Sequence, residues 1–344
     1  MRKLKPSLLT PKSGTPLHAV AKLAIAQKEI YTVGMHKQHK PALLLMAYGT
    51  PGSSADIEAY YTDIRRGHPP TPAQLKELQD RYTAIGGTTP LRTITEAQAE
   101  QLAHLTGVKT YIGMKHWRPY IHDAVAEMSH DGITHIVALV LAPHFSSMSV
   151  ADYRSRLHSA VAEIHPAVHV DSIERWGSNP VFIDSICDRL EETRTTYTKP
   201  DWDDIEVVFS AHSLPERILE SGDPYRDELM ETCKLVAGQL HIPHWRLAFQ
   251  SAGRTDDAWI GPDILSEMRS LAAKRVTQVL VAPIGFVTDN LEILYDLDIQ
   301  TAALAKELGI EFRRIPTANA TRRFIEALSD VVAPYIAAGV HQEN

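Results

Sequence analysis

The sequence is poor in cysteine, with only Cys187 and Cys233 among its 344 residues. Two cysteines so far apart exclude a disulfide framework, a cysteine-rich zinc site and a four-cysteine iron–sulfur cluster. They are typical of a reducing compartment, so we expect a cytoplasmic protein. Long apolar runs are also missing: residues 136–142 and 279–287 are far shorter than the roughly 18 to 20 residues of a membrane-spanning helix, and they indicate buried strands.

Positive charge is scarce outside the amino-terminal segment. Residues 1–40 contain eight Lys or Arg and one acidic residue, whereas the rest of the chain contains 27 basic and 41 acidic residues. Because nucleic-acid binding requires a basic footprint, the acidic body argues against nucleic acid as a partner. The basic segment predicts a disordered extension. It shows no secretion cleavage motif, and Met35, shortly before the first apolar strand, is a second candidate for the translation start.

Two phosphate-binding motifs are absent as well. No G-x-G-x-x-G follows a predicted strand, and no G-x-x-x-x-G-K-[ST] occurs. Since such glycine-rich loops cradle the phosphates of dinucleotides and nucleoside triphosphates, a nicotinamide oxidoreductase or a P-loop enzyme is disfavoured. The predicted loops offer instead side chains suited to proton transfer or metal binding: Tyr48, His144, His212, Trp259 and the acidic turn at 289–292.

Short β-type runs alternate with longer helical patterns from residue 41 onward, which is typical of parallel sheets covered by helices. The order of elements over 42–142 recurs over 206–283, and the length suffices for about two domains. The sequence therefore predicts an α/β protein with two lobes, over 41–143 and 144–334, and a C-terminal helix over 320–338 that packs back on the body.

The loops after the predicted strands are the expected place for a ligand. In open α/β sheets, ligands bind outside the carboxyl ends of the strands, so two facing lobes would present these loops to one cleft. The segments expected to line it are 48–51, 143–149, 211–216, 250–254 and 284–292.

His212 stands where a buried strand opens into this cleft, although a single histidine at such a position often only holds a turn by hydrogen bonds. In the second lobe, Glu292, Asp296 and Gln300 recur at every fourth position and so share one face of a helix that begins at the cleft. An acidic stripe is otherwise typical of a solvated face. An imidazole and a carboxylate that converge here can bind a borderline divalent ion such as Fe²⁺ or abstract protons.

A long motif in the second half resembles a known family. Residues 207–215 read Val-Val-Phe-Ser-Ala-His-Ser-Leu-Pro, and Gly-Asp-Pro-Tyr follows at 222–225. The pattern, including the spacing between the histidine and the second motif, resembles the ferrochelatase signature, closest to the coproporphyrin III subgroup of Gram-positive-type bacteria. The resemblance spans about residues 42–335 and is carried further by segments at 44–51, 80–91, 141–146, 250–262 and 285–292.

The resemblance implies a chelatase fold: two Rossmann-like lobes, each with a parallel four-stranded sheet flanked by helices, and a cleft between them. It implies insertion of Fe²⁺, a substrate, into a porphyrin, with no nucleotide, prosthetic group or iron–sulfur cluster as cofactor. Iron can enter a porphyrin only if the ring bends and its two inner N–H protons find acceptors. His212 and Glu292 are expected to hold Fe²⁺ and to receive these protons, for which His212 has to be neutral.

Further site residues are implied by the same resemblance. Tyr48 matches a tyrosine that becomes the axial ligand of the inserted iron in coproporphyrin-type enzymes, although it could instead pack against the porphyrin ring. Trp259 is expected to contact the porphyrin as well. The residues expected to contact the porphyrin carboxylates are Arg65, Arg81, Tyr82, Thr89 and Tyr153, with Thr89 in place of the usual serine.

Two positions depart from the family pattern. Asn290 stands where a histidine is common beside the glutamate, which puts in doubt any role for that histidine in proton removal. Gln300 replaces an acidic residue at the outer end of the stripe. An outer divalent-metal site at Asp296 is therefore expected to be weaker, because an amide lacks the charge that holds hard cations.

The expected product is coproheme, made from coproporphyrin III in haem biosynthesis. Membrane-associated ferrochelatases carry an apolar lip over the pocket, whereas residues 52–79 contain no apolar patch large enough to enter a bilayer. We expect porphyrin and ferrous iron as partners, no membrane insertion, and a monomer. The alternatives left open are a protoporphyrin IX ferrochelatase, a cobalt or nickel chelatase of the same fold, and a non-catalytic tetrapyrrole carrier.

Overall fold

The computed structural model describes residues 39–253 and 257–340. The predicted basic extension over 1–40 lies outside the described residues, except for its last two positions. The described residues belong to one compact unit, which contains both sheets.

The strands of this unit form two parallel sheets of four strands each. The first sheet contains β1 (Pro41–Ala47), β2 (Thr110–Met114), β3 (His135–Val140) and β4 (His169–Ile173). Across this sheet, the strands lie side by side in the order second, first, third, fourth. The strands of the second sheet follow the same spatial order and are β5 (Glu206–His212), β6 (Trp245–Gln250), β7 (Gln278–Ala282) and β8 (Glu311–Arg314). The repeated strand order confirms the predicted duplication.

Helices connect the strands and cover the sheets. The first six are α1 (Ile57–Ile64), α2 (Pro72–Ala84), α3 (Leu91–Thr106), α4 (Ile121–His130), α5 (Val150–Ile164) and α6 (Pro180–Arg194). The others are α7 (Arg217–Glu220), α8 (Tyr225–Leu240), α9 (Ile264–Ala273), a π-helix (Ile293–Thr301), α10 (Ala302–Glu307) and α11 (Arg322–Val340). Across the described residues, none of these helices combines the length and apolarity needed to cross a bilayer.

Local sequence signals explain where several helices begin. Before α2, the Thr71 hydroxyl accepts from the Gln74 backbone N–H, and the Gln74 side chain accepts from the Thr71 N–H in return. Asp263 similarly caps α9 by accepting from the Ser266 N–H. These side chains satisfy N–H groups that have no partner within the helix, so each fixes the point at which its loop ends.

The central strands are continuous apolar runs because helices cover both faces of each sheet. One face of the first sheet packs against α4 and α5, through residues such as Leu44, Val125 and Leu157. The other face of the first sheet and the second sheet share one continuous core, and this core includes Leu43 and Phe209. This shared core holds the two lobes together.

The last helix packs against the first lobe and against helix α6, which connects the two sheets. Helix α11 contacts α3, α6 and β3. Phe324 of α11 lies with its ring centroid 6.1 Å from that of Trp176 and 6.3 Å from that of Phe182. The second half of the chain thus returns to cover the first sheet.

The predicted lobe boundary at residue 143 is wrong. Strand β4 pairs with β3 in parallel, with His169 opposite His135, so the first sheet continues to Ile173. As an edge strand with mostly half-exposed residues, β4 lacks the continuous apolar run that marks a central strand. Its sequence signal was therefore weak.

Candidate active site

Strand-end loops of both lobes line one cavity of about 730 Å³. Each of the five loop segments expected at the cleft contributes residues to the cavity wall, which confirms the predicted location. The cavity is within the size range of small-molecule sites in proteins. It lies at the carboxyl ends of the strands, where parallel sheets commonly bind ligands.

His212 and Glu292 meet in the wall of this cavity. His212 is the last residue of β5 and Glu292 immediately precedes the π-helix, and the His212 Nε2 lies 3.3 Å from the Glu292 Oε1. The His212 Nδ1 donates to the Ser213 carbonyl oxygen. The Tyr225 hydroxyl donates to the His212 carbonyl oxygen at 2.9 Å, which fixes the end of the strand. The structure thus brings together the imidazole and the carboxylate that the sequence singled out.

The pair holds a proton in the metal-free site. Burial by itself lowers the pKa of His212, but the charge of Glu292 and the hydrogen bonds to Glu292 and Ser213 outweigh it and raise the pKa to about 9. The neutral His212 that iron binding and proton acceptance require therefore forms only when this proton is lost. Because an imidazolium has no lone pair for a metal, any ion that binds at His212 has to displace this proton.

Several neighbours hold Glu292 against His212. A Cβ on Gly285 would lie 2.8 Å from the Ala211 Cβ, so the absence of a side chain lets the loop after β7 pass directly against the end of β5. The Gln250 Nε2 donates to the Glu292 carbonyl oxygen at 3.3 Å. The Asn290 Oδ1 accepts from the Ile293 N–H at 3.0 Å, so the residue that departs from the family pattern caps the start of the π-helix.

The π-helix carries the predicted polar stripe into the cavity wall, where Glu292, Asp296 and Gln300 all appear. Within it, the Thr301 hydroxyl donates to the Asp296 carbonyl oxygen at 2.7 Å, five residues back. Short π-helical segments occur frequently at functional sites. The every-fourth spacing therefore placed these side chains on one face correctly, although the sequence did not distinguish a π-helix from an α-helix.

Asp296 is already engaged by protein groups. Its Oδ2 accepts from the Ser251 hydroxyl, and its Oδ1 lies 3.6 Å from the Arg81 Nη1. Burial, assisted by the charge of Glu292, raises the pKa of Asp296 to about 6 despite the Ser251 hydrogen bond and the Arg81 charge. The outer metal site at Asp296 stays a prediction, and Arg81 is a competitor for the carboxylate there.

Tyr48 lies on the first-lobe side of the cavity, after the end of β1. The residue as a whole is 41% exposed, and its ring packs against His116, with ring centroids 4.7 Å apart. Desolvation within the cavity, together with the charge of Glu292, raises the pKa of the Tyr48 phenol far above its ordinary value. Tyr48 therefore stays protonated in the metal-free protein and would have to lose that proton to ligate iron.

The other residues expected to contact porphyrin divide into two groups. Those in the cavity wall are Arg81, Tyr82, Thr89, Tyr153 and Trp259. Arg65 is not among the wall residues: α1 ends at Ile64, and the Arg65 Nε donates to the His68 carbonyl oxygen at 3.2 Å beyond it. The structure therefore does not place Arg65 at the cavity.

Trp259 and Thr89 have local arrangements of their own. A Cβ on Gly253 would lie 2.4 Å from the Trp259 ring, so a glycine is needed for the indole to take its place in the wall. The Trp259 Nε1 is buried and has no hydrogen-bond partner among the described residues, which leaves a donor for a ligand. The Thr89 hydroxyl donates to the Thr50 hydroxyl at 2.8 Å.

Lys115 is a wall residue that sequence reasoning missed. Its Nζ lies 2.9 Å from the Asp152 Oδ2 and 5.1 Å from the centroid of the Tyr153 ring. Burial lowers the pKa of Lys115 in spite of this ion pair. Lys115 directly follows β2. The expectation that ligands bind at the carboxyl ends of the strands therefore applied to Lys115 as well.

His144 lines the cavity, but its ring is part of the scaffold. Its Nε2 is 2.8 Å from the Thr232 Oγ1, and burial lowers the pKa of the imidazole to about 3. A Cβ on Gly177 would lie 2.6 Å from the ring. His144 is therefore a neutral, tightly packed histidine.

Solved structures with the same arrangement of lobes define the class of fold. SirB from Bacillus subtilis with Fe³⁺ matches with a TM-score of 0.58 and 12% identity, over 88% of this chain and 98% of that chain. The sirohydrochlorin chelatase SirB from Bacillus subtilis subspecies spizizenii in complex with cobalt matches with a TM-score of 0.54 and 10% identity, over the same shares of the two chains. The protein therefore has the two-lobed chelatase fold, as the sequence predicted.

Sequence relatives narrow the class to one family. The ferrochelatase family model matches residues 40–335. The ferrochelatase of Herpetosiphon aurantiacus is 42% identical over 299 residues, which are 85% of this chain and 98% of the relative. The coproporphyrin III ferrochelatase of Bacillus subtilis is 44% identical over 301 residues, 85% of this chain and 97% of the relative. The chain belongs to the ferrochelatase family, a family of metal chelatases, which confirms the resemblance.

Proposed function

We propose that the protein inserts ferrous iron into coproporphyrin III to give coproheme in haem biosynthesis. The pairing of the His212 Nε2 with the Glu292 Oε1, 3.3 Å apart in a cavity lined by both lobes, is the observation that carries this proposal. The similarity to several coproporphyrin III ferrochelatases supports the choice of porphyrin. Iron is the substrate, and the reaction needs neither a nucleotide nor a prosthetic group.

His212 and Glu292 hold the incoming iron. A nitrogen and an oxygen donor suit a borderline ion such as Fe²⁺. Because His212 is protonated beside Glu292 in the metal-free site, iron binding releases this proton and exposes the Nε2 lone pair. The affinity for iron therefore rises with pH until His212 has lost its proton.

The same side of the cavity receives the two inner protons of the porphyrin. As iron passes from the pair to the ring nitrogens, His212 and Glu292 regain their capacity to accept protons. Asp296 follows along the π-helix, and its pKa of about 6 lets it accept and release protons near neutral pH. Asp296 thus forms the next step of a proton path that begins at Glu292.

The porphyrin occupies the cavity between the first-lobe and second-lobe residues. Tyr48 extends from the first lobe, and His212 and Glu292 from the second, so a planar ring between them has the tyrosine on one side and the iron-holding pair on the other. Tyr48 ligates the iron after insertion, once its phenol has lost a proton. Trp259 contributes the unpartnered Nε1 donor as a contact for the ring substituents.

Cationic and hydroxyl groups in the wall favour a porphyrin with four carboxylates. Arg81 and Lys115 are the charged donors. The hydroxyl donors in the wall that we assign to the carboxylates are Tyr82, Thr89 and Tyr153. A membrane-binding lip would be formed by residues 52–79. None of the large exposed hydrophobic side chains of the described residues lies in this segment. We also propose that the enzyme works as a monomer in the cytoplasm.

Anaerobic incubation with Fe²⁺ and either coproporphyrin III or protoporphyrin IX tests the proposal, with porphyrin absorption as the readout. We expect the metal-free spectrum of coproporphyrin III to be replaced by that of coproheme with multiple turnovers, and protoporphyrin IX to react more slowly. Faster turnover with protoporphyrin IX would contradict coproporphyrin III as the substrate. Faster turnover with Co²⁺ or Ni²⁺ would contradict iron as the metal, and stoichiometric binding without turnover would show that the protein is not an enzyme.

A further inference from the structure

A second group of metal-ligating side chains lies at the amino-terminal edge of the first sheet, at the opposite ends of the strands from the cavity. His135 is the first residue of β3 and His169 the first residue of β4, and the two are register partners in the parallel pair. Asp171 follows His169 by two positions. Because side chains alternate along a strand, His135, His169 and Asp171 project from the same face of the sheet.

The three side chains are close enough to share one ion. The His135 Nε2 lies 2.9 Å from the Asp171 Oδ2, and the His169 Nε2 lies 3.5 Å from the Asp171 Oδ1. One ligand atom from each residue fits within 4.8 Å of the other two. Around a tetrahedral zinc ion with bonds of about 2.0 to 2.2 Å, neighbouring ligand atoms are roughly 3.4 Å apart. The trio is therefore near ligating geometry without rearrangement of the backbone.

The His39 ring lies beside this trio, although His39 is not one of the residues whose ligand atoms fall within 4.8 Å of one another. Pro41 is the register partner of His135 in the β1–β3 pair, and His39 comes two positions before Pro41. His39 therefore lies beside His135 on the same face. The centroids of the His39 and His135 rings are 5.4 Å apart, and those of His135 and His169 are 4.9 Å apart. Two imidazoles that bind one tetrahedral ion have centroids about 5 Å apart, which both distances approach.

The His39 Nε2 is buried and has no hydrogen-bond partner among the described residues. Buried polar atoms are nearly always hydrogen-bonded, so this nitrogen requires an explanation. A bound cation gives one, since it takes up an imidazole lone pair. The His135 ring, which is only 2% exposed, would bind the same ion through the Nε2 that faces Asp171.

We propose that His39, His135, His169 and Asp171 form a binding site for a divalent ion of the zinc class, separate from the centre at His212 and Glu292. Three imidazoles and one carboxylate suit Zn²⁺, Co²⁺ and Ni²⁺, whereas Mg²⁺ and Ca²⁺ prefer all-oxygen surroundings. The ion joins the start of β1 to the starts of β3 and β4, and so fastens the edge strand to the centre of the sheet. Its role is to stabilise the first lobe, because it lies away from the cavity.

Cobalt binding to the metal-free full-length protein tests the site. Four-coordinate Co²⁺ bound by imidazoles gives intense visible absorption, and we expect about one equivalent to do so in the unmodified protein. The informative variants are His169→Ala and Asp171→Asn, since both side chains are partly exposed and their loss spares the core. We expect each to abolish this absorption, while His212→Ala and the exposed-surface control His104→Ala retain it. Retention in folded His169→Ala and Asp171→Asn, or loss in His212→Ala, would overturn the proposal.

Thermal unfolding with Zn²⁺ provides a second readout that does not depend on spectra. An ion that binds the folded state alone raises its stability by mass action. Because the pair at His212 and Glu292 can also take up Zn²⁺, the comparison is made in the His212→Ala background. We expect Zn²⁺ to raise the Tm of His212→Ala by several degrees, and to leave the Tm of the double variant of His212→Ala and Asp171→Asn unchanged. Iron insertion by Asp171→Asn alone should proceed at the normal rate. An equal rise of Tm in the double variant would contradict a site at this edge.

Discussion

Arg81 and Asp296 form an ion pair between the two lobes, with the Arg81 Nη1 3.6 Å from the Asp296 Oδ1. Arg81 extends from α2 of the first lobe, and Asp296 from the π-helix of the second. The Arg81 guanidinium also lies over the Tyr295 ring, 5.0 Å from its centroid. The cation proposed to bind a porphyrin carboxylate is thus beside a protein carboxylate already, and the substrate competes with Asp296 for it.

Arg81→Ala is expected to weaken coproporphyrin III binding more than protoporphyrin IX binding. Because Arg81 is partly exposed, one charge-assisted contact there is worth about 1 kcal/mol, which corresponds to a roughly five-fold higher Kd. Fluorescence titration of each porphyrin measures the change, and Arg92→Ala on the exposed face of α3 is the control. Equal losses for the two porphyrins would show that Arg81 serves the fold rather than the carboxylates.

Glu292→Gln is expected to lower the pKa of His212 from about 9 to below its ordinary value near 6.5, because the burial that remains opposes the imidazolium. Titration of the His212 ring signals by NMR in the metal-free protein measures this pKa. Asp296→Asn should lower the same pKa by much less, since Asp296 is the weakest of the groups that raise it. A pKa of His212 that stays near 9 in Glu292→Gln would contradict the ion pair.

His144 should make the protein sensitive to acid. Its folded-state pKa of about 3 lies below the unfolded value near 6.5, so between these two pH values the unfolded chain binds one more proton than the folded one. The free energy of unfolding therefore falls as pH decreases through this window, by about 1.4 kcal/mol per pH unit from His144 alone. Urea unfolding at several pH values measures the slope.

The matched variant for this slope is His144→Gln, which keeps a hydrogen-bonding side chain beside Thr232 and removes the titration. Its stability should depend less steeply on pH between about 4 and 6. An unchanged slope would show that His144 does not carry the effect.

Asn290→Ala is expected to destabilise the start of the π-helix. It removes the acceptor of the Ile293 N–H, and loss of such a cap costs about 1 kcal/mol. Asn290→Asp keeps an acceptor oxygen and should retain most of this stability. Denaturant unfolding of the three proteins distinguishes them, and equal stabilities would mean that the hydrogen bond contributes nothing.

The central part of each lobe was predictable because its strands are short, continuous apolar runs that end in loops rich in polar side chains. The first strand, over 41–47, and the strand over 206–212 both carry this signal, and their ends located the cavity. The edge strands β4 and β8 do not carry it. Strand β8 reads Glu-Phe-Arg-Arg and is only half-buried, so its residues satisfy no apolar pattern.

Side-chain pairing was less predictable than position. Spacing along the chain put His212 and Glu292 at one cleft, but the proton that they share depends on a 3.3 Å approach that no sequence pattern specifies. Arg65 as a carboxylate contact stays a prediction, since it follows the end of α1 at Ile64 and is not among the wall residues. Lys115 was overlooked although it follows a strand, since the carboxylate that pairs with it, Asp152, is distant in the sequence.

Iron insertion by folded His212→Ala, Glu292→Gln and the double variant tests the catalytic pair most directly. If the two residues act as one unit, each single variant loses most of its turnover and the double variant loses little more. Coproporphyrin III should still bind, and circular dichroism should show an intact fold. In anaerobic assays with Fe²⁺ and coproporphyrin III, we expect coproheme formation by His212→Ala to fall at least a hundred-fold, on the order of the contribution of a general base. Near-normal turnover by folded His212→Ala would contradict its role in the reaction.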